Sequence, residues 1–239
     1  MTGRLAALAR FPVKGLGGEA LESARLAPGR PLQGDRAYGL AHSGSAAAAV
    51  GWARARDFAT PRRAPELARV AVSLGAEGRL SAAHPALGAW DGGPDGLCEW
   101  LAGLAGPMAP LRLVAGGAGA LHDVEAAHLS IGNLASLRAI SERAGVPPDP
   151  RRFRMNVWLD GFAPWSEVGA GTVEIGAARL RVVAPVERCV APDANPETGR
   201  RDSDLCGELY AAFGHAEFGL YAVVEAGGDV APGMEAVLA

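Results

Sequence analysis

Cys189, Lys14 and a run of arginines are the residues of this sequence best suited to chemistry. Cys189 lies in Val183-Ala184-Pro185-Val186-Glu187-Arg188-Cys189-Val190-Ala191-Pro192, where a strand-like stretch gives way to a loop bounded by prolines. A cation beside it, Arg188 or any arginine the fold brings in, favours the thiolate, which is both nucleophile and soft metal ligand. The competing reading is a small buried hydrophobe, the ordinary state of a cysteine. Cys98 and Cys206 take that ordinary reading, since neither has a basic residue beside it.

Of the 23 basic residues, 22 are arginine and one, Lys14, is lysine. Either an arginine-biased composition left it behind on the surface, or a compact ammonium is needed where a planar guanidinium does not fit. It sits in the turn-forming loop Phe11-Pro12-Val13-Lys14-Gly15. A second cluster, Arg151-Arg152-Phe153-Arg154-Met155-Asn156, enters a strand-like stretch. On a strand, Arg152, Arg154 and Asn156 share a face and can converge on one anion; the alternative is a solvated basic edge. Asp35-Arg36 reads as a local ion pair or turn cap, and His122-Asp123 and His128-Ser130 offer polar contacts. No Cys/His spacing suits zinc, and no phosphate loop, dinucleotide fingerprint or nucleophile elbow is present.

These side chains must be carried by short elements. Glycine (33) and proline (17) interleave with apolar runs, which suits many short strands rather than a helical bundle. Strands are expected over residues 5–11, 21–26, 37–42, 111–114, 155–160, 219–225 and 234–237, with hairpins at 70–81 and 172–185. Helices are expected after Ser130-Ile131-Gly132, where Leu134, Leu137 and Ile140 recur at spacings of three, and over 205–213. Residues 43–65 and 84–120 read as largely structureless. The absence of a βαβ rhythm points to a mainly β protein with attached helices, divided near residues 1–100 and 101–239.

Hydrophobic residues make up 49% of the 239 and charged residues 21%, enough for a core. The net charge of −3 argues against nucleic acid. No apolar run reaches the length of a membrane span, and the first ten residues are too short for a signal peptide. Three scattered cysteines make no disulfide framework, so the expected setting is reducing and cytoplasmic.

Four ordered segments together resemble the MOSC-domain family, named for the C-terminal domain of molybdenum cofactor sulfurase. Phe11-Pro12-Val13-Lys14-Gly15-Leu16 and Pro28-Gly29-Arg30-Pro31-Leu32-Gln33-Gly34-Asp35-Arg36 resemble its N-terminal part, and Arg152-Phe153-Arg154-Met155-Asn156 its RFRPN element. Glu187-Arg188-Cys189 with Asn195-Pro196-Glu197-Thr198-Gly199 resembles its cysteine loop. The resemblance implies an N-terminal β-barrel-like subdomain packed on a MOSC β-barrel. It implies a molybdenum cofactor (molybdopterin) whose metal is ligated by Cys189, the catalytic residue. Lys14, Arg36 and Arg154 would grip the pterin phosphate, with Ser130 and Asn156 as hydrogen-bonding neighbours. Pyridoxal phosphate binding is also attached to the family as a general term.

The sequence departs from the family pattern at Gly15 (often Ser), Met155 (usually Pro), Asn195 (usually Asp) and Val186 (an additional Cys in some relatives). The expected function is an oxidoreductase acting on N-hydroxylated small molecules, with electrons supplied by separate reductase proteins. A non-catalytic carrier of persulfide or cofactor uses the same thiolate.

Overall fold

Short apolar alternations broken by glycine and proline fold into sheets whose edges are closed by curling. In the computed structural model, the backbone of residues 1–239 and every side chain except that of Asp95 are described. Seven strands form a closed barrel: β1 (Thr2–Arg10), β2 (Leu129–Asn133), β3 (Val157–Asp160), β4 (Thr172–Ile175), β5 (Ala178–Glu187), β6 (Glu217–Ala226) and β7 (Glu235–Leu238). The order around the ring is β1-β3-β2-β6-β5-β4-β7, and β7 returns to β1. Of these neighbours β2 and β3 are parallel, and the helix Leu134–Arg143 makes the crossover a parallel pair requires. Asn133 caps that helix, its Oδ1 accepting from Ala135 N at 2.9 Å.

The barrel interior is filled by inward side chains such as Leu5, Leu8, Ile131, Val157, Leu180 and Val224. Leu5 and Leu8 are three apart, a spacing that would put them on opposite faces of a regular strand. A register shift between Leu5 and Ala7 brings both inside. The other half of the chain builds a three-stranded sheet (Val13–Lys14, Tyr38–Ala41, Arg112–Ala115) and a meander (Ala71–Leu74, Leu80–His84, Gly88–Gly92) around its own core of Val13, Leu16, Leu40, Leu67, Leu97 and Leu101.

The mainly β architecture is as expected. Strand pairing crosses residue 100: β1 belongs to the barrel built mostly by the C-terminal half, while Arg112–Ala115 pairs with Tyr38–Ala41. Arg152, Arg154 and Asn156 do not share the expected strand face. Pro150 opens a 3-10 turn over Pro150–Arg152, Arg154 takes a positive φ of 50°, and the strand begins only at Val157. Arg152 therefore turns away from Arg154. It is buried, donating to Pro192 O at 3.1 Å and through Nη2 to both oxygens of Asp202 at 2.8 and 3.0 Å. No helix among the described residues is long and apolar enough to cross a membrane.

Candidate functional site

Where β5 ends at Glu187 the chain leaves the barrel wall, and Cys189 stands exposed two residues later. It faces a cavity of about 710 Å³ whose walls come from both halves of the chain. Arg188, expected to flank the thiol, lines the same cavity but spends its donors on the barrel. Its Nε and Nη2 donate to Phe218 O at 3.0 and 2.9 Å and its Nη1 to Phe153 O at 3.1 Å. Burial lowers its pKa to about 10, and it lies 5.3 Å from the Phe153 ring centroid. Arg188 thus pins the cysteine loop to the barrel.

Lys14 enters from the opposite wall. Its strand lies parallel to Tyr38–Ala41, and the residue is only 6% exposed. The ammonium donates to Leu121 O at 2.6 Å and to Asp123 Oδ1, with the Phe58 ring centroid 5.6 Å away. Burial holds its pKa below the ordinary lysine value, with Arg36 and Arg154 adding repulsion and Asp123 opposing it. Asp123, which burial alone would raise, is pulled below the usual carboxylate range by Lys14.

Arg36 is set by a buried polar floor. Asp35, whose side chain is fully buried, accepts from Phe11 N and Asn156 Nδ2 at 2.8 Å each and from Arg36 Nη1 at 2.5 Å. Burial would raise the Asp35 carboxyl, but Arg36 and neighbouring donors bring it down to about 2. His122 Nε2 lies 3.3 Å from Asp35 Oδ2 without hydrogen-bond geometry, and burial lowers the imidazole to about 4. Ser130 and Asn156 belong to this floor. Asn156 Oδ1 accepts from Ser130 N and Oγ at 2.9 and 3.0 Å, and both residues are buried behind Arg36 rather than on the cavity wall. They position a binding residue one layer back.

Arg154 lines the same cavity as the thiol, and burial, with the nearby Arg36, lowers its pKa. Its carbonyl accepts from Arg36 Nη2 at 2.7 Å. Its half-buried guanidinium has no hydrogen-bond partner among the described residues. A cation half out of water with its donors unspent is a receptor for an anion. Seven basic side chains (Lys14, Arg36, Arg56, Arg62, Arg63, Arg154, Arg188) line this cavity against two acidic ones, Asp123 and Glu187, in a chain of net charge −3.

Four separated segments thus bring Cys189, Lys14, Arg36 and Arg154 to one cavity. Sequence reasoning missed Tyr221 and Arg56, Arg62 and Arg63 on its walls, which carry no signal until the fold collects them. Among the described residues no group of three or more His, Cys, Asp or Glu side chains could hold a metal by itself. A metal here would need most of its ligands from a cofactor, with Cys189 adding a thiolate. The exposed thiol and the anion-ready Arg154 fit such a group.

Residues 118–237 match the family described as MOSC domain, and residues 2–91 match the MOSC N-terminal beta barrel domain. The chain belongs to the MOSC-domain family. It is 29% identical over 99 residues, 41% of its length, to a molybdenum cofactor sulfurase of Drosophila grimshawi, and that match spans only 13% of the relative. The crystal structure of the YUAD protein from Bacillus subtilis is similar over 99% of this chain and 94% of that one, with a TM-score of 0.53 and 14% identity, a likeness of fold. The YiiM structure from Geobacillus stearothermophilus covers 47% of the chain and 54% of its own, with a TM-score of 0.35 and 21% identity.

Two departures from the MOSC pattern have local causes. Gly15 takes a φ of 87°, and a Cβ there would meet Ala59 O at 2.7 Å, so serine has neither the backbone nor the room. Asn195 Oδ1 accepts from Glu197 N at 2.7 Å while Nδ2 donates to Asp202. An aspartate would set two carboxylates against each other where one amide joins them.

Proposed function

We propose that the cavity binds a molybdenum cofactor and that the protein reduces N-hydroxylated small molecules, taking electrons from separate reductase proteins in the cytoplasm. One observation carries this reading: an exposed thiol and a partnerless guanidinium share a cavity with a buried ammonium. Cys189 would ligate the metal, and Arg154 would donate to the pterin phosphate, with the charges of Arg36 and Lys14, already held by Asp35 and Asp123, drawing it in. When bound, the cofactor supplies the two-electron redox chemistry.

The chain's own residues bind and orient. Asp35 fixes Arg36, Asp123 fixes Lys14, and Arg188 fixes the loop that presents Cys189. Tyr221, on the cavity wall, is neutral at ordinary pH, burial raising its phenol pKa further, so its Oη is a donor toward a bound hydroxyl. The likeness to part of a molybdenum cofactor sulfurase, together with the exposure of Cys189, favours one second reading: a carrier of persulfide or cofactor. Protein purified from a cofactor-producing host and given a reductant and an amidoxime separates them. Repeated turnover supports the reductase; a single stoichiometric release of sulfur supports the carrier.

A further inference from the structure

The seven basic groups of the cavity are not equally available. Lys14 is spent on Leu121 and Asp123, Arg36 on Asp35, and Arg188 on the carbonyls of Phe153 and Phe218. The Arg154 guanidinium makes no hydrogen bond among the described residues. The remaining three lie together on residues 55–63. Arg56 and Arg62 make no side-chain hydrogen bond or ion pair among the described residues, and Arg63 meets only His42 Nε2, at 3.2 Å. All three are exposed.

This segment is held in place rather than adrift. Ala59 N donates to Leu40 O at 2.7 Å and Ala64 N to Thr60 O at 3.1 Å. Arg201 Nη2 donates to the carbonyls of Pro61 and Arg62. The continuation of the cysteine loop therefore grips the segment that carries the three arginines. Three like charges fixed at one mouth repel unless an anion joins them, and a concave wall focuses their field.

We propose that Arg56, Arg62 and Arg63 form a second anion subsite at the cavity mouth, for a phosphate or carboxylate distinct from the group held at Arg154. It rests on the reading above and deepens it. The anion belongs either to a longer, diphosphate form of the cofactor or to an N-hydroxylated substrate bearing an acidic group. Both present the same chemistry to the three guanidinium forks.

Calorimetric titration of the full cofactor-free chain with inorganic phosphate at low ionic strength tests it. The wild type should bind two phosphates, the Arg56→Ala/Arg62→Ala/Arg63→Ala variant one, and Arg154→Gln one. A triple variant that binds as the wild type does overturns the rim subsite; Arg154→Gln behaving as the wild type overturns the inner site, and with it the cofactor reading. In protein from a cofactor-producing host, a diphosphate cofactor predicts at least a tenfold loss of molybdenum in the triple variant. An acidic substrate predicts unchanged molybdenum and a KM raised at least tenfold for a carboxylate-bearing amidoxime, with a neutral one unaffected. If the triple variant changes neither, the subsite has no role and the proposal fails.

Discussion

The floor and the mouth of one cavity are built on opposite principles. Beneath Arg36, Asp35, Asn156 and Ser130 form a buried network in which each group answers another, with His122 alongside. At the mouth, Arg56, Arg62 and Arg63 stand exposed with hardly a partner. Arg154 is intermediate, half-buried and, among the described residues, with a guanidinium that makes no hydrogen bond. The lesson is a division of labour: the floor spends its polar groups on geometry, so its failure is a failure of folding. The mouth keeps its donors for a ligand, so its failure is a failure of binding.

The strongest way to break this contrast is Asp35→Ala. It strands the Arg36 charge, Phe11 N and Asn156 Nδ2 in the interior, and should cost about 3–5 kcal/mol in urea unfolding. A loss comparable to that of a surface change would mean that the floor does not fix Arg36.

Acid should then act on the floor. His122 has a folded pKa of about 4, below the ordinary 6.5, so its contribution to stability is complete above pH 6.5 and is lost as pH falls through 4. Asp35, at about 2 against 3.8, adds a second loss between those values. Between pH 7 and pH 4 the chain should lose on the order of 3 kcal/mol from His122. His122→Gln should flatten that slope, whereas removing the three mouth arginines should leave it unchanged.

Gly15→Ser sharpens the contrast at smaller amplitude. A side chain at φ 87° facing Ala59 O should cost about 1–3 kcal/mol of stability. Smallest in stability is Arg154→Gln, within about 0.5 kcal/mol, and yet it should weaken phosphate binding at least tenfold. If unfolding and binding suffer together there, Arg154 belongs to the floor.

Much of the scaffold was legible in the sequence because local rules govern it. The helix over Leu134–Arg143 follows from its three-residue spacing and Gly145, the helix over Leu205–Phe213 ends at Gly214, and the strand Thr172–Ile175 alternates as a half-buried strand should. Residues 150–156 misled because alternation there competes with Pro150 and with the positive φ of Arg154. Leu129–Asn133 read as a helix entrance, since a strand buried throughout does not alternate. Of the site, Cys189 and Lys14 stood out by residue type. The Asp35–Arg36 ion pair is local and was legible as such; the support that Asn156 lends, and the role of residues 55–63 as the mouth, depend on contacts between residues 120 or more positions apart, which no local pattern announces.

The central claim is that Cys189 presents its sulfur to a metal in this cavity. Elemental analysis of molybdenum per chain, in wild type and Cys189→Ala purified from the same cofactor-producing host, tests it most directly. The account predicts close to one molybdenum per wild-type chain and almost none in the variant, with unfolding unchanged; equal molybdenum in the two would contradict it.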